Sequence, residues 1–61
     1  MSDSDIIKQA YEDTIQKLFA VLFDASVIAQ NLPAQSEAEQ QFLAGVNKAR
    51  EVRDKAITLV S

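Results

Sequence analysis

Apolar residues recur at helical spacing in two blocks separated by a single break. In the first block Ile7, Tyr11, Leu18, Leu22, Ala25, Ala29 and Leu32 fall on one line of a wheel drawn at about 100° per residue. Val21 and Ile28 widen that stripe on one side, Ile15 and then Phe19 on the other, and Phe23 lies one turn beyond Phe19. The apolar arc covers about half the circumference, wider than the roughly 100° that one partner helix covers. In the second block Ala38, Phe42, Gly45, Ala49, Val52, Ala56 and Leu59 follow alternating steps of four and three, a heptad-like seam. Four of these seven are alanine or glycine, which lets a facing helix approach closely and lay large side chains over a shallow groove. A second row runs beside the seam: Leu43, Val46, Arg50, Arg53, Ile57 and Val60.

The break is NLPAQS, Asn31 to Ser36. Proline disfavours helix at the residue before it, so the spacing predicts a first helix over about 4–30, ended at Asn31 in a left-handed conformation. Ser36 and Glu39 have the spacing of a capping box, which predicts a loop over 31–35 and a second helix over about 36–59. Ser2, Asp3, Ser4 and Asp5 supply cap oxygens and negative charge at the front of the first helix. Four in-line pairs at i,i+4 add support worth about 0.2–0.5 kcal/mol each: Lys8–Glu12, Asp13–Lys17, Arg50–Asp54 and Glu51–Lys55. Two helices of similar length joined by so short a link must run antiparallel. The expected fold is an all-α helical hairpin forming one domain over 1–61.

Length then changes the picture. A chain of 61 residues is near the lower limit for burying its own core, and small scaffolds need a staple. There is no cysteine and no histidine, so a disulfide is excluded and the commonest metal ligand is missing. Two helices touching along one line would leave many large side chains wet, each about 1.5–3 kcal/mol short of full burial. Self-association is the staple that remains: a C2 dimer forming a four-helix bundle is its commonest closed form, and a larger assembly is expected if Phe19 and Phe23 stay exposed in the dimer.

Composition excludes several classes. A net charge of -3 with 48% apolar residues does not fit disorder. No stretch approaches the roughly 20 apolar residues of a membrane span, and the acidic MSDSD start is unlike a basic targeting segment. The expectation is a cytoplasmic protein with no membrane partner.

Candidate chemistry is sparse. Phe19 and Phe23 read either as the sealed edge of a bundle or as an exposed docking patch. Arg50 and Arg53 are interleaved with Glu51 and Asp54. Their stems are expected to pack over the bundle while their heads pair with Glu12, Asp13 or Glu39. Asp5, Glu12, Asp13 and Asp24 fall on the polar arc and read as a solvated face. Tyr11 lies on the core stripe with its hydroxyl toward the bundle end. Ser26 has no histidine to activate it, and Gly45 is the sole glycine, so no phosphate-binding loop exists. The sequence therefore points to a non-enzymatic protein without cofactor or metal, a small interaction module whose partner is itself and possibly another protein. Its expected interaction residues are Phe19, Phe23, Leu43, Val46, Arg50, Arg53 and Ile57. The expected architecture resembles, in shape and not in motif, the Rop family of small dimeric RNA-binding regulators of plasmid copy number. That resemblance implies an alternative, a nucleic-acid-binding dimer using Lys48, Arg50, Arg53 and Lys55. The acidic balance argues against it, because few counterions would be released from a phosphate backbone.

Overall fold

The computed structural model describes residues 1–61 as two antiparallel helices, α1 (Asp3–Ile28) and α2 (Leu32–Val60). α1 opens on a capping box: the Ser2 hydroxyl accepts from the Asp5 amide at 3.2 Å, and the Asp5 carboxylate accepts from the Ser2 amide at 3.4 Å. Asp3 and Asp5 place negative charge on the first turn, where the helix dipole favours it.

The link differs from the expected one. It is three residues, Ala29 to Asn31, and α2 begins four residues before Ser36. Asn31 is not a left-handed terminator: its φ is -135°, and its side-chain oxygen accepts from the Ala34 amide at 2.9 Å, capping α2. Pro33 sits in the first turn, where its missing N–H would have had no helical partner and its fixed φ suits the helix. Ser36 and Glu39 consequently lie inside α2 and form no capping box. The Gln35 side-chain Nε2 donates to the Ala29 carbonyl at 3.3 Å and ties the link to α2. Asn31→Ala should therefore lower stability by about 1 kcal/mol, while Ser36→Ala should stay within about 0.5 kcal/mol. Thermal unfolding of both variants at one concentration checks this; equal effects would mean that the cap is not at Asn31.

The seam between the helices also departs from the strict heptad. On α1 it is Ile7, Tyr11, Ile15, Leu18, Leu22 and Ala25, continued by Ala29 of the link, all half-buried. On α2 it runs through Ala38, Phe42, Gly45, Val46, Ala49, Arg53, Ala56 and Ile57. Val52 and Leu59, expected at its centre, are 53% and 77% exposed, and Leu32 is 79% exposed. A straight helix drifts by about 20° per heptad, so positions seven apart rotate out of the contact and their neighbours rotate in. Arg53 and Ile57 replace Val52 and Leu59 for that reason. The close approach anticipated from small residues is present: a Cβ at Gly45 would lie 2.7 Å from Leu18 Cδ2.

The result is a thin plate with Cα extents of 45 × 17 × 6 Å. Val46 is its only buried residue. No helix is long and apolar enough to cross a membrane.

Candidate functional site

The plate has two dissimilar faces. One carries two grooves along the helix–helix seam. The larger, about 470 Å³, is lined by Ala10, Tyr11, Thr14, Gly45, Lys48, Val52 and neighbours, and the smaller, about 180 Å³, by Leu18, Val21, Ala25, Ala38 and Gln41 among others. Small residues at Ala10, Gly45 and Ala49 make this face concave.

The other face carries the phenylalanines. Phe19 lies two residues, or about 200° of helix, from the groove-lining Val21, and Leu43 lies equally far from Gln41. Both therefore stand on the side opposite the grooves. Phe19 and Phe23 are 60% and 59% exposed, and their rings stack with centroids 6.5 Å apart and planes 25° from parallel. Such a pair one turn apart supports the helix slightly, but in a single chain it seals nothing. Leu43 is exposed on the same face, while Val46 is buried and Ile57 half-buried.

The two arginines separate. Arg53 enters the seam with its guanidinium carbon 4.4 Å from the centre of the Tyr11 ring, a cation–π contact, and Nε donates to Asp54 Oδ1 at 3.0 Å. It does not reach Glu12, Asp13 or Glu39. Arg50 is exposed and has no acidic partner within 4.0 Å, and neither has Glu39. None of the four expected i,i+4 pairs is formed. The one other ion pair is Lys48–Glu51 at 3.6 Å, and it is exposed. Tyr11, expected in the core, is half-buried beneath Arg53.

Nothing in the structure gathers a catalytic set. Asp5, Glu12, Asp13 and Asp24 are all exposed, and no three acidic side chains come together as metal ligands would. Ser26 is exposed and donates no hydrogen bond. The arrangement offers apolar surface and paired charge rather than a polarised pocket. Comparison with known protein families, with curated proteins and with solved structures finds no match to the chain.

Proposed function

We propose that the chain is a small non-enzymatic protein–protein interaction module that works as a homo-oligomeric helical bundle, two hairpins forming a four-helix core. The observation that carries this reading is the surface the single hairpin leaves uncovered. One residue of 61 is buried, and Phe19, Phe23, Val27, Leu43 and Val52 are among the large apolar side chains left exposed. A compact chain of 6.7 kDa would expose about 3,900 Å², whereas this one exposes 4815 Å². Its radius of gyration is 14.3 Å, against about 10.5 Å for a compact domain of this length.

Two copies reach the surface of a compact protein of twice the mass by covering about 3,100 Å² between them, within the range of obligate homodimers. Unburied apolar side chains at about 1.5–3 kcal/mol each are otherwise too many for a chain whose net stability is expected to be about 5–15 kcal/mol. The charge layout supports this reading over a nucleic-acid regulator. Lys48 and Arg53 both border the larger groove, where Arg53 is taken up by the Tyr11 ring and Asp54, and Arg50 lies about 200° around α2 from Lys48, on the other face. No face collects all four cations.

Sedimentation equilibrium should give a mass at least twice the 6.7 kDa of one chain, with a thermal midpoint that rises with protein concentration. A folded species of single-chain mass at micromolar concentration overturns the proposal.

A further inference from the structure

With α2 starting at Leu32, one edge of that helix acquires a pattern. Leu32, Glu39, Leu43, Val46, Arg50 and Ile57 lie within an arc of about 60° on α2. Their spacings are seven, four, three, four and seven residues. The row is symmetric about the point between Ala44 and Gly45, and that symmetry exchanges Leu32 with Ile57, Leu43 with Val46, and Glu39 with Arg50. Apolar residues map onto apolar ones, and the acid maps onto the base.

An antiparallel pair of identical helices related by a twofold axis requires this kind of self-complementarity, because residue i then meets residue j and j meets i. The packing of Gly45 on Leu18 puts the centre of the row level with Leu18 and Phe19 of α1. About that level Ile15 and Leu22 are also equidistant. Phe19 falls almost on the axis and Phe23 at the rim.

Resting on the oligomeric reading above, we infer that the face bearing Phe19 and Leu43 is the self-docking surface and that its occupant is a second copy of this chain. α2 lies antiparallel on the partner copy's α2 about a twofold between Leu43 and Val46, so that Glu39 and Arg50 pair reciprocally across the interface. Both residues lack an ion-pair partner within the chain. They cannot serve each other there: eleven residues of helix separate them by about 16 Å, beyond the roughly 8 Å screening length of physiological salt.

The test uses two single charge reversals, Glu39→Arg and Arg50→Glu. Each homodimer of a single variant would carry two like-charge contacts and should associate at least about tenfold more weakly than the wild type. Mixing the two variants creates a heterodimer in which both contacts are again opposite in sign, so association should return toward the wild-type value. The double variant Glu39→Arg, Arg50→Glu should likewise recover. Helicity of each variant, measured at the highest concentration, separates weakened association from misfolding. If the wild type self-associates but either reversal is without effect, or the mixture associates no better than its components, the interface is elsewhere and only this inference falls. A monomeric wild type removes the oligomeric reading itself.

Discussion

Phe19→Ser is expected to leave the chain monomeric and largely unfolded at micromolar concentration. In a single hairpin the Phe19 ring is more than half exposed, and removing an exposed side chain changes stability by no more than about 0.5 kcal/mol. In a dimer with Phe19 close to the twofold, the ring is buried in both copies. Truncating a buried phenylalanine costs about 3–5 kcal/mol, and the symmetry applies that cost twice per dimer. The sum approaches the whole net stability of a small protein, about 5–15 kcal/mol. Phe23→Ser, at the rim, should cost only about 1 kcal/mol per copy, since much of that ring stays in water. Circular dichroism and sedimentation on the two variants distinguish the cases. Equal behaviour of Phe19→Ser and wild type would mean that the face bearing Phe19 is not buried by self-association.

Gly45→Leu is expected to separate the two helices and abolish most of the helicity. The space above Gly45 is already taken by Leu18, whose Cδ2 would be 2.7 Å from an added Cβ. Alanine can be absorbed there: the tip of Leu18 moves, and replacing a mid-helix glycine returns about 1 kcal/mol of helix propensity. Gly45→Ala should thus stay within about 1 kcal/mol of the wild type. Leucine cannot be absorbed, because its branches would occupy the volume of the Leu18 side chain itself. Overpacking costs about 1–3 kcal/mol in a core that can adjust, and here Val46, the one buried residue, is adjacent. The decisive control is Leu18→Ala combined with Gly45→Leu, which should recover a substantial part of the thermal midpoint. If Leu18→Ala makes Gly45→Leu worse, the two residues do not share that space.

Much of the fold was legible in the sequence because it rests on periodicity. The helical hairpin, its antiparallel sense, the small residues of α2 and the packing of Leu18 against them all follow from spacing and side-chain size. Two elements were misread for physical reasons. Ser36 and Glu39 have capping-box spacing, but Asn31 with Pro33 starts the helix earlier, and only one residue can cap. The strict heptad placed Val52 and Leu59 in the seam, while a straight helix drifts and brings in Arg53 and Ile57. The misplaced start had a further consequence. Spacing alone puts Leu32 on the first helix's stripe and Glu39 in a cap, which leaves only Leu43, Val46, Arg50 and Ile57 of the symmetric row visible on α2. The stacking of Arg53 on Tyr11 had no sequence signal, since it joins residues 42 positions apart across the seam.

The three-residue link bears on how the chain reaches its folded state. Asn31 and Gln35 close it with their own hydrogen bonds, and all long-range packing joins one helix to its immediate neighbour. Hairpins of this local topology form in microseconds to milliseconds. Encounter between two chains at micromolar concentration, with rate constants of about 10⁵–10⁷ M⁻¹s⁻¹, takes a fraction of a second to ten seconds. Under the proposed dimer, finding a second copy would be the slow step, and each new chain would wait as a half-formed, exposed hairpin until it met one. Abundance itself would set how quickly the protein matures.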